Sequence, residues 1–284
     1  MPELILTIFF GALIIIVFKL ISILKLDVTQ IITLNYLVAV SFGFLIWDQP
    51  LSFEVWQSKP WFEFSIIIGV FFIITYRLFG FSSDKAGLAI TAVASKMSVI
   101  IPVLAGFLLF HDHVSLLKIT GIILVLVAFY LIFKPEKGLR INRHFILLPF
   151  LLLLGNGIND TLVKYTQHFY INNDVGLFLS FVYLTAFIIG IVYFFFSQVL
   201  KGRLFSLKSI VGGIVLGSLN YWGAWFFIKS MVVFQASFLF PVVNIGIVSL
   251  SALASFIIFK ENLNKTNWLG ILVAILAILL VSLG

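Results

Sequence analysis

The sequence predicts an all-α polytopic membrane protein of ten transmembrane helices, arranged as two inverted five-helix repeats. Three observations predict it. The first is composition. The chain has 284 residues, 62% of them hydrophobic and 10% charged, where a soluble domain carries roughly 25% charged residues. A water-soluble fold of this length cannot bury so much apolar surface, so lipid is the expected solvent. The second is a series of ten apolar runs. The third is a polar break made twice. FLLFHDHVSLLKITG at 107–121 and FIIFKENLNKTNWLG at 256–270 align without a gap, at an offset of 149 residues.

A membrane-crossing helix needs roughly 20 apolar residues. Runs of that kind cover 3–24, 29–47, 63–82, 86–110, 114–134, 144–166, 174–199, 207–228, 231–259 and 266–284. The first lacks a basic leader and a small-residue cleavage site, so it is expected to be a retained helix. A longer loop, 48–62, precedes the third. The fourth and fifth are separated only by His111, Asp112 and His113. A basic loop, KPEKGLRINRH, then divides the chain into 1–134, a connector 135–143, and 144–284. The eighth run holds Gly213 and Gly217 at GxxxG spacing, which lets helices approach closely. The ninth contains Pro241, and the turn before the tenth contains Glu261.

The same offset extends to either side of the break, from 93 to 128 and from 242 to 277. Val93 matches Val242, Leu104 Leu253, Ala105 Ala254, Gly121 Gly270 and Ala128 Ala277. Five spans is an odd number, so the second half enters the membrane from the opposite side. Inverted repeats are the architecture of many secondary transporters, which bind substrate near the midplane. Lysine and arginine concentrate on the odd-numbered loops, from Lys19 and Lys25 through Lys134 to Lys260 and Lys265, against Lys59, Lys118, Lys164 and Lys229 on the other side. That asymmetry predicts cytoplasmic odd loops and outside termini.

Charges within a span are costly and mark pathways. In LLLLGNGINDTLVKYTQ, Asn156, Asp160 and Lys164 share one helix face, with Asn159 beside it. The functional reading is substrate binding by Asn156, Asn159 and Asp160, with Asp160 a proton-coupling candidate. The bland reading is an Asp160–Lys164 ion pair. Lys96 lies about nine residues into its span, roughly 14 Å deep at 1.5 Å per residue. It needs a cavity or a partner, and Asp160 is the candidate. Asn220, Tyr221 and Trp222 suit a pocket wall, or plain packing. Asn244 binds substrate or satisfies backbone freed by Pro241. Arg77, Asp84 and Lys19 read as interfacial anchors or local ion pairs.

Several classes are excluded or disfavoured. No cysteine is present, which removes disulfides, thiolate metal sites and a Cys nucleophile. The net charge of +7 orients helices rather than binding nucleic acid. The His111–Asp112–His113 turn is too sparse for a metal site and is expected to be a solvated turn. No Walker A, GxSxG or HExxH motif occurs. No cofactor is expected, and the chain is not read as an enzyme. The rivals are a membrane-embedded enzyme acting on a lipid-linked substrate and a non-transporting partner subunit.

The pattern resembles the drug/metabolite transporter superfamily, in particular its EamA-like ten-helix carriers. The features that carry the resemblance are the two five-helix halves and the E-x-L turn with its following glycine (Glu261, Leu263, Gly270). To these are added Lys19 closing the first helix and the approach SMVVFQASFLFPVVN with Pro241. The first half departs at the HDH turn and at Lys96. The resemblance implies transport, often export, of a small metabolite by alternating access, with helices 1–4 and 6–9 lining a cavity. An amino-acid-like solute leads among the substrates, and the setting is a bacterial inner membrane. The partners are then a small-molecule substrate and membrane lipid, for a monomer or homodimer. The resemblance also implies cytoplasmic termini, opposite to the charge asymmetry.

Overall fold

The computed structural model describes all residues except 47–55, 87, 133–144, 146, 172–173, 203 and 261–263. Glu261 and Leu263 of the second turn, and the basic connector, lie outside the described residues. Those described form helices and no strand. In chain order the helices are α1 (Pro2–Ile23), α2 (Val28–Leu45), α3 (Phe62–Ala86), α4 (Leu88–Met97), α5 (Ile100–Leu109), α6 (Leu116–Ile132), α7 (Leu147–Phe169), α8 (Val175–Ser197), α9 (Leu207–Val233), α10 (Ala236–Phe259) and α11 (Lys265–Leu283). Among the described residues, eight spans are long and apolar enough to cross a membrane, and Leu116–Ile132 is a shorter apolar helix. α7 stands outside that set, because it carries the polar face of Asn156, Asp160 and Lys164.

The expected fourth span, 86–110, is not one continuous helix. It is α4 and α5 with a turn at Ser98–Val99. Pro102 explains the break. A proline has no N–H, so the usual bond to the carbonyl four residues back, Ser98 O, cannot form. Ile101 N donates to Ser98 O instead at 3.0 Å, in a tighter i to i−3 step. Ser98 Oγ turns back to Ser95 O at 2.7 Å and occupies a carbonyl opened by the break.

The helices group into two compact units. Unit 1 comprises Met1–Ile73 and Tyr165–Val232, and unit 2 comprises Ile74–Lys164 and Val233–Gly284. Each draws on both halves of the sequence.

In unit 1, α2 packs along α8 and α9. Small residues make the close approaches. A methyl group at Gly217 would sit 2.7 Å from Asn35 O, and one at Gly213 would strike Leu34. The GxxxG spacing thus acts as expected. Gly43 is similarly tight against Ser180 and Gly176 O. Ile21, Ile31 and Leu216 form a buried cluster where α1, α2 and α9 meet. Polar ties fix the ends. Asp27 caps α2 by accepting from Gln30 N at 3.1 Å. The buried Gln30 side chain donates to Gln198 Oε1 and Leu204 O and accepts from Ser206 N. Asp174 accepts from Lys59 Nζ at 2.8 Å and from Trp61 Nε1 at 3.4 Å.

In unit 2, α6 lies along α11, and α5 packs on α10. A methyl group at Gly121 would lie 2.9 Å from Val281 N; one at Gly270 would lie 2.9 Å from Ile132 N. These two contacts exchange under the 149-residue offset, since Gly270 corresponds to Gly121 and Val281 to Ile132. The N-caps exchange too. Ser115 Oγ accepts from Lys118 N at 3.0 Å at the start of α6. Asn264 Oδ1 accepts from Asn267 N at 2.8 Å at the start of α11. Asn267 Nδ2 also donates to Ile132 O at 2.8 Å, satisfying a terminal carbonyl of α6.

Candidate functional site

Five of the predicted site residues fall in unit 2. Lys96 is the penultimate residue of α4, at the break. Its ammonium donates to Asn244 Oδ1 of α10 at 3.2 Å. The C-terminal end of a half-helix presents carbonyls and a negative partial charge, which suits a cation. Asn244 Nδ2 donates to Phe240 O at 3.1 Å. This differs from the expectation that Asn244 serves the carbonyl freed by Pro241. The carbonyl that a proline frees lies four residues back, at Ser237, out of reach of Asn244.

α7 packs next to this break. Asn156 Nδ2 donates to Ser95 Oγ at 2.9 Å, next to Lys96. Asp160, one turn further on the same face, and Lys96 each feel the other's charge. The predicted Lys96–Asp160 relation is therefore electrostatic, while the hydrogen bond of Lys96 goes to Asn244. Both side chains are only partly buried. Asn159 is 5% exposed, and its Oδ1 has no hydrogen-bond partner among the described residues. Small residues let α7 approach: a methyl at Gly157 would lie 2.6 Å from Ile101 Cβ of α5.

Asn220, Tyr221 and Trp222 fall in unit 1, on α9. Asn220 Nδ2 donates to Asn35 Oδ1 at 3.1 Å, and Tyr183 Oη donates to Asn220 Oδ1 at 3.2 Å. Tyr221 is fully buried among aromatic rings. Phe42 stacks on it at 5.6 Å, and Trp222 and Trp225 approach at 5.5 and 6.0 Å. Its hydroxyl has no partner among the described residues.

The HDH turn is not simply solvated. His111 and His113 are exposed, but Asp112 is 8% exposed. Its Oδ2 accepts from Ser237 N at 2.7 Å, in the first turn of α10. The N-cap residue of α10, Gln235, makes no capping bond, so Asp112 caps that helix from across the fold. The carboxylate fits because residue 106 is glycine, where a methyl would lie 2.6 Å from Asp112 Oδ2. Lys118, buried under α10, donates to His113 O and Gln235 Oε1, both at 2.9 Å. Lys164 is 5% exposed, with Nζ 5.9 Å from the centre of the Phe110 ring. Among the described residues no group of three or more His, Cys, Asp and Glu could hold a metal ion.

Sequence reasoning missed Ser95, Asn35, Tyr183, Gln235 and Ser237 as partners. Asn35 carried a signal, a lone amide inside an apolar run. Ser95 and Ser237 carried none, since serine is unremarked in a helix until something faces it.

No protein-family model matches the sequence. The chain is 29% identical over 262 residues to an uncharacterized protein of Haemophilus influenzae, covering 88% of this chain and 87% of that relative. A protein known from a crystal structure is similar in fold, with a TM-score of 0.82 over 99% of this chain and 96% of that one, at 9% sequence identity.

Proposed function

We propose that this chain is an integral membrane secondary transporter of the EamA-like kind, moving a small polar or amphipathic metabolite by alternating access. The observation that carries the reading is the Lys96 cluster. A lysine at a helix break, bonded to Asn244 and within electrostatic reach of Asp160, is costly in an apolar span. Broken helices with charged and amide groups near mid-depth are how transporters of several folds bind solutes. The exchange of Gly121–Val281 with Gly270–Ile132 supports two repeats of opposite orientation. Ser95, Asn156, Asn159 and Asn244 supply neutral donors and acceptors around the two charges. Within unit 1, Asn220, Tyr221 and Trp222 form a separate cluster of one amide and aromatic rings, read as a substrate contact in its own right. An amino-acid-like solute matches a site holding one cation and one carboxylate, and export from a bacterial inner membrane follows the resemblance.

The test is a thermal-shift screen of the detergent-purified chain against amino acids, nucleosides, vitamins and sugar phosphates. A solute that binds the folded state raises the melting temperature by mass action. We expect a hit that Lys96→Ala and Asp160→Asn both abolish. A hit retained by both variants moves the site away from α4 and α7.

A further inference from the structure

We propose that one end of unit 1 is a docking surface for the headgroups of anionic phospholipid. It is formed by Leu24 and Lys25 after α1, Leu200 and Lys201 after α8, and Leu207 and Lys208 at the start of α9. The inference needs the chain to lie in a membrane and does not depend on whether it transports a solute.

Three exposed lysines here each directly follow an exposed leucine. Leu24, Leu200 and Leu207 are 63, 63 and 77% exposed. The pairs are distant in sequence, and a buried amide network brings their segments together. Gln30, in the first turn of α2, donates to Gln198 Oε1 at 3.1 Å and to Leu204 O at 3.0 Å, and accepts from Ser206 N at 3.0 Å. Gln198 Nε2 in turn donates to Asp27 Oδ2 at 2.7 Å. Lys25 stands two residues before Asp27, Lys201 three after Gln198 and Lys208 two after Ser206. The turn Val199–Lys201 closes on Gly202 at φ 72, a conformation that glycine adopts without steric cost. Phe205 stacks on Phe194 of α8 at 4.2 Å, which holds the connection against that helix.

The surface is nearly one-signed. The other described charges at this end are Lys19, further up α1, and Asp27. Both carboxylate oxygens of Asp27 are taken by uncharged donors, Gln30 N and Gln198 Nε2. The opposite end of unit 1 carries both signs, with Glu3, Glu63 and Asp174 beside Lys59 and Lys229. There Lys59 and Asp174 pair at 2.8 Å.

A leucine next to a lysine matches the membrane boundary. The leucine enters the acyl layer, and the lysine stem lets its ammonium reach a headgroup phosphate. An anionic phospholipid offers both parts, a net negative charge and hydrocarbon. A soluble anion makes no use of the leucines. A lysine that only orients a helix acts through its side of the membrane and gains nothing from a network that fixes its segment beside two others.

The test titrates the purified full-length chain, in an uncharged detergent, with phosphatidylglycerol or phosphatidylcholine. Native mass spectrometry gives the Kd of the first lipid bound. Wild type is expected to prefer phosphatidylglycerol. Lys25→Gln, Lys201→Gln and Lys208→Gln should each weaken that lipid about fivefold, and the triple variant about a hundredfold. Phosphatidylcholine binding and the lipid-free melting temperature should stay near wild type. Arginine at the same three positions should retain the preference, which separates lost charge from a disturbed fold. Lys85→Gln, Lys260→Gln and Lys265→Gln together remove the same charge from unit 2 and should leave the Kd unchanged. Glycerol phosphate, an anion without acyl chains, should not displace the lipid at millimolar concentration. Equal affinity of wild type for the two lipids overturns the proposal, as does wild-type affinity in the triple variant. Equal loss in the unit 2 variant reduces the effect to net charge and overturns it too. Displacement by glycerol phosphate assigns the surface to a soluble anion instead.

Discussion

Asp112 illustrates how much one side chain decides at the residue scale. From sequence it stands in a three-residue polar turn between two apolar runs, where a solvated side chain is the simple reading. In the fold it accepts the Ser237 N–H that α10 cannot satisfy locally. Replacing it with alanine leaves a buried donor without a partner, at a cost of about 1–3 kcal/mol. Asparagine retains an oxygen that can accept the same bond. Thermal unfolding in detergent should therefore rank wild type above Asp112→Asn, and Asp112→Asn above Asp112→Ala. Equal melting temperatures for all three would remove the cap from the account. Lys96 is the opposite case. Its depth in an apolar run was legible at once, and only its immediate partner, Asn244, was not.

The break between α4 and α5 is the feature of most consequence at the scale of elements. Apolar periodicity runs straight through 86–110 and predicts one helix, because it reads side-chain polarity and not backbone donors. Pro102 is the exception that the pattern does not register. It sits in the first turn of α5, where a missing N–H costs little; in a continuous helix the same proline costs about 3 kcal/mol. Pro102→Ala removes that penalty and allows α4 and α5 to join through a bond to Ser98 O. The expected outcome is an unchanged or slightly raised melting temperature, with a weakened response to whichever solute the screen identifies, because Lys96 leaves the helix end. A full solute response in Pro102→Ala would show that the break does not position Lys96.

At the scale of the whole molecule, the chain forms two units, and each uses helices from both halves of the sequence. Within unit 2 the contacts of α6 and α11 interchange under the 149-residue offset. Gly121 and Gly270 should then be equivalent. Valine at either position puts a methyl-bearing carbon against a backbone nitrogen 2.9 Å away, and overpacking of this kind costs about 1–3 kcal/mol. Gly121→Val and Gly270→Val are expected to lower the melting temperature by similar amounts. Gly80→Ala, which meets nothing within 4 Å, should not lower it. Strongly unequal losses for the two valine variants would count against a twofold relation between these helices.

The sequence by itself determined the helical class, the approximate limits of the long apolar runs, the repeated polar break and the short roster of polar residues inside those runs. All of these are local properties: composition, period and spacing are set by neighbours along the chain. GxxxG at Gly213 and Gly217 was legible for the same reason, since close approach needs only small side chains on one face. Tertiary structure alone decided which polar groups meet. Asn156 finds Ser95 across 61 residues, Asp112 finds Ser237 across 125, and Asn220 finds Asn35 across 185. It also separated Lys96, Asn156, Asn159, Asp160 and Asn244 from Asn220, Tyr221 and Trp222, placing them in different units. The physical reason is that a buried polar atom must find a hydrogen-bond partner wherever the packed helices offer one, and no spacing along the chain encodes that choice.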